Sequence, residues 1–312
     1  YEIPKRDWSS DVCSSDLNSF IAILMPYFPK WFVRPFAKPY VAGESLEEAL
    51  GIVQTLNDEG FAATMDILGE FVHSTDEANQ IKDAYSDVIQ RIADANLDST
   101  ISVKLTHLGL ELDPQMGEDN ILALAQEGKE NNVGVTIDME NSPYTTQTFE
   151  IYKRTLSIYN KMGTVIQAYL FRSLDDIKLL DSPLLNLRIC KGIYKEASEI
   201  AIQKRTAIND NYVEMAKTLL NGSGYACLAT HDISLIDRLE ALIETENISP
   251  NRFEFQVLYG VPMGNRLEQL KAKGYKIRVY VPFGEAWFEY SVRRLKENPK
   301  IISYVMGNWF KR

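Results

Sequence analysis

The sequence predicts an α/β fold in which eight β/α units close into a barrel. Three observations predict it. From Ser45 onward, eight short apolar runs alternate with helical patterns. The runs are almost continuously apolar, as strands covered on both faces are. Polar residues gather where each run gives way to the next helix, and a (βα)8 barrel carries its chemistry at that end of its strands. An open doubly wound sheet is the rival arrangement, but no GxGxxG turn follows the first strand. The 312 residues leave room for an arm beside one barrel, which typically takes about 250.

Residues 1–17 repeat Ser-Ser-Asp within Asp7–Leu17 and carry no helical, strand or signal-peptide pattern. They read as a non-native or disordered segment, like translated sequencing adapter. Residues 18–44 form an N-terminal helical arm. Its apolar run Phe20–Met25 is far short of the ~20 residues that span a bilayer, and Pro26, Pro29 and Pro35 break any long helix. Its aromatics with Lys30, Arg34 and Lys38 suit packing on the domain or, alternatively, a membrane interface. Ser45 and Glu48 make a capping box for a helix reaching about Asp58. Strands are expected at Phe61–Gly69, Ile101–Leu105, Val133–Met139, Thr164–Leu170, Leu187–Cys190, Ala226–Thr230, Phe253–Leu258 and Lys276–Val281. Helices are expected at Asp76–Ala95, Gly117–Glu130, Thr145–Lys161, Ser173–Leu180, Ser198–Leu220, Leu235–Glu246 and Asn265–Ala272, so that residues 45–312 make one barrel domain.

Composition narrows the function. A hydrophobic content of 45% with 24% charged residues is ordinary for a globular enzyme. A net charge of −10 argues against nucleic-acid binding, which needs a basic face. Cys13, Cys190 and Cys227 form no CxxC pair and suggest a reducing cytoplasm. His73, His107 and His231 are too scattered to predict a metal cage.

The polar positions assigned to strand ends are Asp66 and Glu70, Lys104, Asp138 and Glu140, Gln167, Arg188 and Lys191, Thr230 to Asp232, Glu254 and Gln256, and Tyr280. After the last strand, Pro282 and Gly284 lead into a helix bearing Arg293 and Arg294. Two guanidinium forks can clamp one carboxylate in a fixed orientation, which suggests a small anionic substrate at the barrel mouth. The same pair could instead form a surface stripe with Glu289 and Glu297.

Nine segments taken together resemble flavin-dependent proline dehydrogenase of the monofunctional bacterial type, and the corresponding domain of bifunctional proline-utilisation enzymes. They are Val41–Ser45, Met65–Glu70, Ser102–Leu105, Ile137–Glu140, Gln167–Tyr169, Leu187–Glu196, Ala229–Asp232, Phe253–Gly260 and Arg278–Glu297, in family order. The resemblance implies a distorted (βα)8 TIM-type barrel with non-covalent FAD. It implies oxidation of L-proline to Δ1-pyrroline-5-carboxylate, with electrons passed to a quinone. Localisation follows as cytoplasmic, with peripheral contact at the inner face of the cytoplasmic membrane.

By the same resemblance, Lys104, Arg293 and Arg294 hold the proline carboxylate, while Tyr280 and Leu258 pack on its ring. Arg188 approaches the flavin N5 edge, where a positive group raises the potential, and joins Glu70 as a gate over the substrate. Asp138 counts among the catalytic residues, in an orienting and charge-balancing role. Met139 and Gln167 match contacts to the flavin ring. Lys191, Gly192 and Ile193 match the loop along the ribityl chain and pyrophosphate, and Thr230 and His231 the adenosine-diphosphate half. Tyr194 and Glu297 line the adenine and ribose. Ile193 and Cys190 depart from the commoner alanine and valine. Two alternatives stay open: a Schiff-base aldolase or lyase using Lys104, and a flavin-free barrel that binds without catalysis.

Overall fold

The structure is a computed structural model that describes residues 28–30, 33–34 and 39–297, with side chains to Val292. Residues 1–17, most of the expected arm, and the side chains of Arg293, Arg294 and Glu297 lie outside the described residues. The chain forms β1 (Ala62–Ile67), β2 (Ser99–Val103), β3 (Val135–Ile137), β4 (Met162–Gln167), β5 (Asn186–Cys190), β6 (Tyr225–Ala229), β7 (Phe253–Leu258) and β8 (Lys276–Phe283). These eight parallel strands close in sequence order, with β8 paired back onto β1 through Thr64↔Tyr280 and its neighbours. The expected barrel is the observed one.

Around it run α1 (Leu46–Asp58), α2 (Thr75–Asp94), α3 (Pro114–Asn131), α4 (Thr145–Leu156), α5 (Ser173–Leu180), α6 (Arg205–Asn221), α7 (Ile233–Thr245), α8 (Arg266–Ala272) and α9 (Trp287–Glu297). Local chemistry starts several of them. The capping box of α1 forms, Glu48 N donating to Ser45 Oγ at 3.3 Å and Ser45 N to Glu48 Oε2 at 3.4 Å. Ser74 and Asp113 cap α2 and α3, and Pro114 occupies the first turn of α3, where its missing N–H costs nothing. The core lies between the outer barrel face and the helices; Tyr85, Val88, Ile89 and Ile92 of α2 are buried there. A second cluster joins Val33, Tyr40 and Val41 to Leu68, Trp287 and Val292.

Three expectations need correction. The helix expected from Ser198 starts at Arg205, because residues 191–204 form a loop held by the bridge Leu170↔Ala201 and by Gln203 Nε2 donating to Ala201 O at 2.9 Å. The helix from Thr145 stops at Leu156 rather than Lys161; Met162 already begins β4. Glu254, assigned to the mouth, is the second residue of β7 and lies toward the barrel's other end.

Candidate active site

Side chains alternate across a strand, so residues two apart share a face. Ser102 and Lys104, Glu254 and Gln256, and Arg278 and Tyr280 are such pairs. With Arg188 they build a polar column. Toward the N-terminal end, Arg278 Nε donates to Glu254 Oε1 at 2.7 Å, and Arg278 Nη1 to Ala63 O at 2.6 Å. Gln256 links upward: its Nε2 donates to Glu254 Oε1 at 2.6 Å, and its Oε1 accepts from Arg188 Nε at 2.6 Å. Arg188 Nη1 donates to Asp138 Oδ1 at 2.5 Å and to Ser102 Oγ at 3.2 Å.

Asp138 is the hub. Its Oδ1 also accepts from Ser102 Oγ at 2.7 Å, and its Oδ2 from Tyr280 Oη at 2.8 Å. The Tyr280 ring lies against the guanidinium of Arg188, 5.3 Å from its centroid. Burial pushes the Tyr280 hydroxyl well up, and Asp138 adds to this, so Tyr280 stays protonated and donates. Burial opposes the charge on Arg188, but Asp138, with smaller help from Tyr280, Cys227 and Cys190, outweighs it and holds the guanidinium above its ordinary range.

Lys104, immediately after β2, faces Asp66 at the end of β1, Nζ to Oδ1 3.4 Å. Burial opposes its charge; Asp66, Asp138, Glu70 and Glu140 outweigh that and raise it above the ordinary lysine range. A Schiff-base lysine needs the opposite shift, toward the neutral amine. The Asp66 carboxylate beside Lys104 therefore favours carboxylate binding over the aldolase alternative at this site.

Glu70 sits on the loop after β1, where its carbonyl accepts from Thr106 Oγ1 at 3.2 Å. Arg188 is held on three sides deep in the barrel, by Gln256, Ser102 and Asp138. Thr106 N also donates to Glu140 Oε1 at 3.1 Å, and Thr106 Oγ1 to Oε2. Leu258 ends β7, half-buried, and its N–H donates to His231 Nε2 at 2.7 Å, which fills the lone pair a metal would need. Among the described residues no group of three His, Cys, Asp or Glu could hold a metal.

The residues matched to a cofactor, Arg188 and Glu297 apart, lie at or after the ends of β3 to β6. Gln167 Nε2 donates to Glu140 O at 2.7 Å and to Met139 O at 3.4 Å. Its Oε1 is buried without a hydrogen-bond partner among the described residues, an acceptor that a ligand N–H would satisfy. Gly192 has φ +103°, and a Cβ there would meet the Tyr169 ring at 2.2 Å, so only glycine fits. Ile193 is 55% exposed, unusual for a β-branched apolar residue, and Tyr194 follows it in the loop. Lys191 Nζ pairs with Asp232 Oδ2 at 2.6 Å, and Asn209 Nδ2 donates to the same oxygen at 3.1 Å. These bonds outweigh burial and hold Asp232 well below the carboxylate range, while its Oδ1 caps α7. Buried Thr230 accepts from Asp232 N at 3.1 Å. This donor set and glycine cradle fit a flavin nucleotide.

Gly192→Ala is expected to yield protein with severalfold less bound flavin, read as the ratio of flavin to protein absorbance. A full flavin complement would remove this loop from the cofactor site.

Sequence reasoning gave no role to Ser102, Gln256 or Tyr85. The two-residue spacing Ser102–Lys104 and Glu254–Gln256 is the signal that could have found the first two. Nothing in α2 marked Tyr85, whose hydroxyl reaches Asp66.

Comparison with known proteins agrees in one direction. A family model described as proline dehydrogenase matches residues 49–306. Proline dehydrogenase 1 of Bacillus subtilis (strain 168) is 38% identical over 276 residues, covering 88% of this chain and 91% of that protein. Proline dehydrogenase of Deinococcus radiodurans is 33% identical over 281 residues, covering 88% and 90%. The crystal structure of proline utilization A from Bdellovibrio bacteriovorus, inactivated by N-propargylglycine, matches with a TM-score of 0.81 and 25% identity over 94% of this chain and 38% of that one.

Proposed function

The chain belongs to the proline dehydrogenase family, and from that premise we propose that it is a flavoenzyme that oxidises L-proline to Δ1-pyrroline-5-carboxylate. This is the first step of proline catabolism to glutamate. FAD, when bound, supplies the acceptor for the hydride. The observation that carries the reading is the Asp138 hub, which fixes Arg188, Ser102 and Tyr280 beside Lys104 at one end of the barrel.

In this reading Lys104, Arg293 and Arg294 bind the proline carboxylate, and Tyr280 and Leu258 cover the ring. Asp138 orients Tyr280 and balances Arg188, which supplies fixed positive charge at the flavin's N5 edge. Glu70 closes over the bound substrate. Met139, Gln167, Lys191, Gly192, Ile193, Tyr194, Thr230, His231 and Glu297 hold the cofactor.

A quinone takes the electrons onward. Among the described residues no helix is long and apolar enough to cross a membrane. In this reading the enzyme works in the cytoplasm and meets its lipid-soluble acceptor by peripheral contact with the inner face of the membrane. Incubation with L-proline and a short-chain quinone should form Δ1-pyrroline-5-carboxylate and the quinol in equal amounts, measured by mass spectrometry and absorbance. Product formed at the same rate without quinone would remove the quinone from the reading. No product under either condition would remove proline oxidation.

A further inference from the structure

A buried carboxylate beside Lys104 takes no part in the mechanism above. Asp66 is 2% exposed. Lys104 Nζ lies 3.4 Å from each of its oxygens, in a forked contact. Tyr85 reaches it from α2, outside the barrel: Tyr85 Oη donates to Asp66 Oδ1 at 3.2 Å and accepts from Ile67 N at 3.2 Å. The tyrosine is fully buried among the apolar residues of α2, so it braces the carboxylate from a rigid element. Two Asp–cation pairs thus stand side by side, Asp66 with Lys104 and Asp138 with Arg188.

We propose that Asp66, braced by Tyr85, is a positioning residue that aims the Lys104 ammonium at the substrate carboxylate and keeps it charged. The proposal rests on the reading that Lys104 binds that carboxylate. A lysine side chain is flexible and its ammonium a compact point charge, so it directs a ligand only when a fixed partner restrains it. A forked carboxylate tied to a helix provides that restraint. The groups acting on Lys104 are Asp66 and Glu70 from the β1 end, Asp138 and Glu140 from the β3 end, and His107 on its own loop. Among the carboxylates that raise it, Asp66 is the largest influence. His107 is held near a pKa of about 4, chiefly by burial and then by Lys104, so it is neutral at working pH. Asp66 itself is raised by burial, with Lys104 the main opposing influence.

The pH sign follows. Removing Asp66 lowers the Lys104 pKa, so carboxylate binding is kept at low pH and lost at a lower alkaline pH than in the unmodified protein. An opposite charge at this range shifts a pKa by about 1–3 units, and the alkaline limb should move down by about one unit or more.

The test uses flavin-loaded protein and cyclopentanecarboxylate, a five-membered ring acid with no amine to titrate. Its dissociation constant is measured by calorimetry from pH 6 to 10 for the unmodified protein, Asp66→Asn and Tyr85→Phe. Asp66→Asn should bind severalfold more weakly near pH 10, recover toward pH 6, and raise KM for proline more than it lowers kcat. Tyr85→Phe should move the same limb in the same direction by less. Should Asp66→Asn fail to fold, Tyr85→Phe carries the test alone. Superimposable binding profiles for the folded variants and the unmodified protein would overturn the proposal. If the unmodified protein binds no ring carboxylate, the reading of Lys104 itself fails instead.

Discussion

Asp138→Asn should lower kcat/KM for L-proline by about two to three orders of magnitude. The carboxylate accepts hydrogen bonds from Arg188, Ser102 and Tyr280, and its charge is the largest favourable influence on the buried Arg188 cation. An amide is neutral and presents an N–H₂ where an acceptor is needed. Breaking one side of a buried ion pair costs about 3–5 kcal/mol, because the remaining charge is left uncompensated. At about 1.4 kcal/mol per factor of ten, that corresponds to the stated loss when most of it falls on the transition state. Steady-state kinetics measure the effect, and flavin content with a thermal melt separates it from misfolding. A folded, flavin-loaded variant within tenfold of the unmodified enzyme would show that the hub is structural only.

Glu254→Ala should act on stability instead. Glu254 and Arg278 form a buried pair toward the barrel's far end, where Glu254 also accepts from Gln256. Removing the carboxylate leaves the buried Arg278 with only the more distant Asp98 at 4.0 Å and the Ala63 carbonyl, at a cost of about 3–5 kcal/mol. For a domain of this size each kcal/mol is worth about 2–4 °C, so the melting temperature should fall by roughly ten degrees. Replacing both residues by methionine removes the stranded charge and should recover much of that loss. Activity well below the melt should stay within severalfold. If the single variant melts within two or three degrees of the unmodified protein, the pair contributes little.

The alternation of apolar runs with helices made the barrel legible because both faces of each strand are covered. The capping box at Ser45 and Glu48 was legible because it is local, formed over three residues. The column inside the barrel was legible only as a set of residue types. Its bonds join Arg188 to Gln256 across 68 positions, Arg188 to Ser102 across 86, and Tyr280 to Asp138 across 142. Those partners are chosen by strand register, which closure of β8 on β1 fixes and local pattern does not. The misplacement of Glu254 has the same origin: a charge in a short strand does not reveal which rim it faces. The late start of α6 differs in kind, since Ser198–Lys204 has a helical composition but is drawn into the loop after β5, where Ala201 bridges to Leu170.

If this barrel holds FAD, L-proline should reduce it by hydride transfer. The most direct test is the visible spectrum of the purified protein, recorded under anaerobic conditions before and after addition of L-proline. An oxidised-flavin spectrum that bleaches with L-proline and stays unchanged with an equal concentration of glycine is the result expected. A flavin spectrum that persists at saturating L-proline, in protein shown to be folded, would contradict the assignment of proline as substrate. A folded protein that takes up no added FAD would contradict the cofactor itself.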